Sequence, residues 1–156
     1  MKTVTAIAIL LSSLVAVTPA LALDPPTTDP SITDGTAARE FNQARAKWRQ
    51  AGIAGYRMKV GRSCFCPGPH EVNVEVRPGR KIQVSDPEWT GPRTVPQMFR
   101  VIGQAIKRGV GSLDVKYSPG SGLPRRVSID YIVMAVDDEM AYSISSFSRL
   151  RPATGQ

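Results

Sequence analysis

The chain is 156 residues long, with a formal net charge of +7, 42% hydrophobic residues and two cysteines. That length fits one domain with a single buried core once an N-terminal leader is set aside. The basic excess is moderate and scattered, alternating with Glu71, Glu75, Asp114 and Asp130, and no aromatic run is set into a basic patch; this argues against nucleic-acid binding and leaves weak attraction to anionic envelope polymers.

Met1 and Lys2 precede an apolar run from Val4 to Val17, which Pro19 and the small-x-small ending Ala20-Leu21-Ala22 close. This is the layout of a secretory signal peptide. The run has about 14 residues against the about 20 that a membrane-spanning helix needs, and cleavage is expected after Ala22. The expected organisation is a signal peptide over 1–22, a disordered proline-rich leader over 23–35 containing Pro25, Pro26 and Pro30, one domain over 36–150, and a tail over 151–156. The expected address is periplasmic or extracellular, without stable membrane insertion.

From Thr36 to Ala51, Phe41, Ala44, Trp48 and Ala51 recur at helical spacing while Arg39, Arg45, Lys47 and Arg49 fill the other side, which predicts an amphipathic helix. Asp34 or Thr36 can cap its start and Gly52 can end it. Tyr56, Met58 and Val60 then alternate with Arg57 and Lys59 as a half-buried strand that runs into the cysteines. Gly61 interrupts the alternation, so parity does not decide whether Cys64 and Cys66 or Phe65 faces the core. Val72, Val74 and Val76, the turn Pro78-Gly79, and Ile82 and Val84 predict a hairpin.

In the loop from Asp86 to Arg93, Trp89 reads as a plug over the core edge, with an exposed ligand anchor as the alternative. Thr94-Val95-Pro96-Gln97 then opens a second helix with a capping box, Met98, Ile102, Ala105 and Ile106 form its apolar stripe, and Gly109 stops it. Strands follow at Leu113, Val115 and Tyr117, at Val127, Ile129 and Tyr131, and at Met140, Tyr142 and Ile144. The order αβββαβββ suggests an internal repeat and a two-layer α+β domain: a mainly antiparallel sheet of about six strands with two helices on one face.

Ser63-Cys64-Phe65-Cys66, Tyr117 followed by Gly122-Leu123-Pro124 and Ile129-Asp130, and Asp137-Asp138-Glu139 followed by Tyr142 together resemble the secreted bacterial domain-of-unknown-function family 6174. The resemblance runs from about Trp48 to Phe147 and departs at Ser118, where the family usually carries an aspartate. It implies an exported small domain and supplies no activity. The αβββαβββ plan is also similar to beta-lactamase-inhibitor-like proteins, an analogy of fold that does not fix function.

An oxidising compartment favours a Cys64–Cys66 disulfide. In an extended strand the two α-carbons would lie about 6.6 Å apart, near the upper limit of about 6.8 Å for a disulfide, so the backbone must pinch at Phe65. A redox-active dithiol is one alternative, although no helix N-terminus adjoins the pair and Arg62 is the only neighbouring cation. A metal site of Cys64, Cys66 and His70 is another; with thioethers from Met58, Met98, Met134 or Met140 it would suit copper. Asp137, Asp138 and Glu139 read as a solvated turn rather than a calcium loop. No triad or paired-carboxylate site is evident. The expected role is a monomeric, non-enzymatic module, without a cofactor, that binds a protein or anionic polymer of the envelope through Arg57, Lys59, Lys81, Arg126 and Trp89; an envelope thiol-redox or copper-handling protein is the alternative.

Overall fold

The computed structural model describes residues 27–151. The expected signal peptide, the first part of the leader and residues 152–156 of the tail lie outside the described residues. The elements are α1 (Pro30–Thr33), α2 (Thr36–Gln50), β1 (Tyr56–Ser63), β2 (Glu71–Val76), β3 (Gln83–Val84), α3 (Val95–Arg108), β4 (Ser112–Tyr117), β5 (Pro124–Asp130) and β6 (Met140–Arg149). The six strands form one antiparallel sheet in the order β3-β2-β1-β6-β5-β4, so the fold is α+β as the alternation predicts.

Alternation decides the two faces of the sheet. Tyr56, Met58 and Val60, Val72 and Val74, Val127 and Ile129, and Ile144 are buried against Trp48 of α2 and Met98, Phe99 and Ile102 of α3. Their strand neighbours Arg57, Asn73, Ser128 and Ser146 face solvent. Two bulges keep this division. Across the β1–β6 register, Lys59 meets Ser146 and Val60 meets Ile144, so Ser145 is the extra residue and Phe147 turns inward to join Trp48 and Tyr56, with ring centroids 5.8 and 5.3 Å away. A second shift at Lys116/Tyr117 leaves Arg125 and Arg126 both exposed.

α3 starts and stops where the sequence says. Thr94 Oγ1 accepts from the Gln97 amide at 3.1 Å, Gln97 Oε1 accepts from the Arg93 amide at 2.6 Å, and Gly109 ends α3 at φ 65°. A third partner comes from the sheet. The Val95 amide, an orphan of the first turn, donates to the buried Tyr56 hydroxyl at 3.0 Å. Burial pushes the Tyr56 phenol above its ordinary value, only partly offset by that bond. Gly122, at φ 69°, lies where a Cβ would overlap the Ala44 carbonyl, so the β4–β5 turn packs directly on the α2 backbone.

Two expectations change. The halves do share an αβββ order, but they are not related by symmetry. β1 and β4 run in opposite directions while the strand order is kept along the sheet; a rotation doing both would carry α3 to the opposite face, whereas Phe41 of α2 and Phe99 of α3 pack edge to face at 5.9 Å. Residues 27–35, grouped with a disordered leader, are part of the fold. Asp29 Oδ1 accepts from the Ser31 amide and hydroxyl at 2.8 and 2.6 Å, its Oδ2 accepts from the Leu113 amide at 2.8 Å, and its own amide donates to the Val110 carbonyl at 2.9 Å. The segment thus caps the start of β4, the edge strand next to β5.

Burial of Asp29 opposes ionisation, yet the Ser31 hydroxyl and the amides of Leu113, Ser31 and Ile32 outweigh it and hold its pKa below the ordinary 3.8. A depressed folded pKa means that the carboxylate's contribution is complete at neutral pH and is lost as pH falls through the folded value. Asp29→Asn presents one acceptor oxygen where two are used, and is expected to cost about 1 kcal/mol at pH 7. Urea midpoints of the two proteins should converge as the pH drops below 3.8; a gap that stays constant with pH would contradict this role.

Candidate functional site

The inward register of β1 does not stop at Gly61. Gly61 pairs with Glu71 on β2 and Ser143 on β6, and it is glycine because a Cβ would approach the Ser143 hydroxyl to 2.7 Å. The next inward position is Arg62, 8% exposed, the one charged residue among the buried ones described. Its guanidinium carbon lies 5.1 Å from the Trp89 ring centroid; Nη1 donates to Thr90 Oγ1 at 2.8 Å, and Nη2 donates to the Pro67 and Pro69 carbonyls at 2.9 and 3.3 Å. Among the described residues, Nε has no partner and no carboxylate pairs with the group. Arg62 is therefore a clamp. Its planar fork joins the loop between β1 and β2 to the loop before α3, with the indole as floor.

Cys64 and Cys66 lie in the clamped loop at disulfide distance, with α-carbons 5.3 Å apart, so the chain does pinch at Phe65. The ring of Phe65 points away from the core and is 86% exposed. The Arg62 amide donates to the His70 carbonyl at 2.7 Å, closing the base of the loop. His70 itself is exposed and does not join the two cysteines: among the described residues, no three His, Cys, Asp or Glu side chains are grouped to hold a metal ion. Met58 and Met98 are committed to the core. Tyr142, opposite Arg62 on β6, has its phenol raised by burial, with the nearby guanidinium pulling the other way.

Trp89 is fully buried, and its Nε1 donates to the Pro92 carbonyl at 3.2 Å. It is the plug, and its placement on the expected binding surface is corrected. The other members of that surface divide. Arg57 donates to Glu75 at 2.5 Å and Lys59 meets Glu71 at 2.8 Å, so these cations are matched by carboxylates on the same face. Donation from Arg57 and Arg77 holds the Glu75 carboxyl below its ordinary value. Arg126 stands across the sheet from Lys116 and Ser143, and Lys81 sits in the turn before β3. The outer face is a mixed one.

The concentration of positive charge lies elsewhere. The end of α2, the end of β2 and the end of β6 meet around the start of β1, where Tyr56 pairs with both Val76 and Arg149, and the Leu150 amide donates to the Gly55 carbonyl at 2.9 Å. They enclose a cavity of about 550 Å³ whose walls carry Arg77, Arg80, Arg149 and Arg151 and whose apolar lining includes Ile53 and Leu150. Arg77 leans on Glu75; Arg80, Arg149 and Arg151 make no ion pair among the described residues. Four arginines lining a partly apolar hollow, one of them paired with Glu75, favour an anion with some apolar surface.

Compared with known families, residues 40–149 match a family of unknown function, DUF6174. The chain belongs to this family. The match runs from within α2 to the last residue of β6, so it takes in the whole sheet, α3, the clamped cysteine loop and most of the arginine-lined end. No curated protein and no solved structure matches the chain.

Sequence reasoning found the cysteine loop and missed both Arg62 and the arginine-lined end. Continuing the Tyr56, Met58, Val60 parity through Gly61 would have placed Arg62 inward. Arg62→Ala is expected to cost about 2 kcal/mol through loss of the indole contact and the loop bonds, and Arg62→Lys should recover only part, because an ammonium cannot serve Thr90 and both proline carbonyls from one plane. Denaturation midpoints with the cysteine pair kept oxidised check this. A lysine variant as stable as the parent would show that charge alone suffices.

Proposed function

We propose that the chain is an exported, non-enzymatic binding module of the bacterial envelope whose arginine-lined end takes an anionic partner, a protein or an envelope polymer. The observation that carries the reading is the convergence of Arg77, Arg80, Arg149 and Arg151 on one hollow with an apolar floor. The excess of Lys and Arg over Asp and Glu adds long-range attraction for polyanions. Export rests on the N-terminal sequence pattern and on the oxidising compartment that a Cys64–Cys66 pair suits. A thiol-redox or copper-handling role has no comparable support, since Arg62 spends its donors on Thr90, Pro67 and Pro69 and His70 stands apart from the cysteines.

Long-chain inorganic polyphosphate is a suitable probe. Titration at low salt should give saturable binding that weakens as salt rises, as counter-ion screening requires. Arg80→Glu/Arg149→Glu should weaken it by at least about tenfold, equivalent to about 1.4 kcal/mol. Lys116→Glu/Arg126→Glu, the same charge change on the outer sheet face, should weaken it far less. Equal losses in the two variants would mean that the polyanion senses only net charge, and the reading would fail.

A further inference from the structure

Opposite the arginine-lined end, the sheet carries an apolar rim. β1 ends at Ser63, which pairs with Ala141 at the start of β6, so the cysteine loop and the β5–β6 loop (131–139) leave the sheet side by side. Met134 and Val136 are 91% and 85% exposed, and Phe65 and Ile132 add further apolar surface. These side chains are held outward by bonded structure. The Ala135 amide donates to the Ile132 carbonyl at 2.8 Å, the Ile132 amide donates to Asp138 Oδ2 at 2.8 Å, and Asp137 turns the chain at φ 69°. Phe65 is fixed by the Arg62 clamp behind it. An exposed apolar group of this kind marks an interaction surface, and a rigid aromatic loses little entropy on docking.

The charge around the rim identifies the occupant. Asp130 precedes the loop and Asp137, Asp138 and Glu139 close it; of the cations toward this end, Arg62 is buried with its donors spent on Thr90, Pro67 and Pro69, and Lys107 and Arg108 sit at the negative end of α3. The exposed carboxylates of Asp137 and Glu139 beside an apolar tip disfavour an anionic lipid surface and favour an apolar hollow lined by cations. The same chain presents such a hollow at its other end, with Ile53 and Leu150 as floor and Arg80 and Arg149 as walls, and its volume of about 550 Å³ has room for several side chains.

We propose that the apolar, acidic rim of one copy docks into the arginine-lined hollow of a second copy, head to tail. The proposal rests on the reading of that hollow as a site for an anionic partner, and names the partner. Because the two surfaces lie at opposite ends of the sheet, the contact is heterologous and leaves a free rim and a free hollow on every assembly, so association grows with concentration instead of stopping at a closed dimer.

Sedimentation velocity of the full chain, as its host processes it, tests this over a concentration series at low and high salt. The average mass should rise with concentration at low salt and fall back at high salt. Met134→Asp/Val136→Asp and Arg80→Glu/Arg149→Glu should each weaken self-association at least about tenfold. A folding defect is separated from a lost contact by exchanging the charges: Asp137→Lys/Glu139→Lys and Arg80→Glu/Arg149→Glu should each stay monomeric alone and associate when mixed, into alternating head-to-tail assemblies with equal amounts of the two. A parent chain that remains monomeric at every concentration overturns the proposal, as does mixing that restores nothing. If the monomer still binds polyphosphate through Arg80 and Arg149, only the second copy is wrong and the anionic site stands; if polyphosphate binding also fails, both fall. A monomer that binds phosphatidylcholine vesicles through Met134 and Val136 would overturn the second copy in favour of a lipid surface.

Discussion

The guanidinium of Arg62 is a full charge placed on the inward face of a strand, and no carboxylate among the described residues neutralises it. Withdrawing such a group from water is costly unless other groups replace the water. Here the indole face of Trp89, the hydroxyl of Thr90 and two proline carbonyls do so. Because those carbonyls belong to the cysteine loop and the indole to the connection before α3, satisfying one charge fixes two irregular segments at once. The buried tryptophan, the proline-flanked loop and the outward Phe65 follow from that requirement.

The rest of the molecule separates its tasks by end and by face. One face of the sheet is closed by α2 and α3. The other carries cations matched by Glu71, Glu75 and Asp114. Arginines without an ion pair among the described residues cluster where β1 begins, and carboxylates with exposed apolar side chains lie where β1 ends. Strand ends and loops tolerate such groups because they need not pack against a neighbouring layer.

What was legible in the sequence was whatever a local rule controls. The Thr94 to Gln97 box, the apolar stripe of α3 and Gly109 mark that helix completely, and the alternating strands give the sheet and its two faces. The Cys64–Cys66 pairing follows from there being no other cysteine. What was hidden depends on partners distant in the chain. Asp29 looks like part of a proline-rich leader until Leu113, 84 residues away, supplies an amide. Gly61 looks like a break, whereas it continues the strand and makes room for Ser143 on the neighbouring one. The arginines of the hollow come from three element ends that only the β1–β6 pairing unites.

Two constraints act on the cysteine loop, a covalent one through Cys64 and Cys66 and an ionic one through Arg62. They can be separated by reducing the cysteine pair and measuring backbone order parameters for residues 64–69 by nitrogen-15 relaxation. If the Arg62 clamp organises this end of the fold, the loop stays near the value of about 0.85 typical of rigid backbone. A fall below about 0.6 on reduction, with the strands unchanged, would show that the covalent link holds the loop and that Arg62 does not.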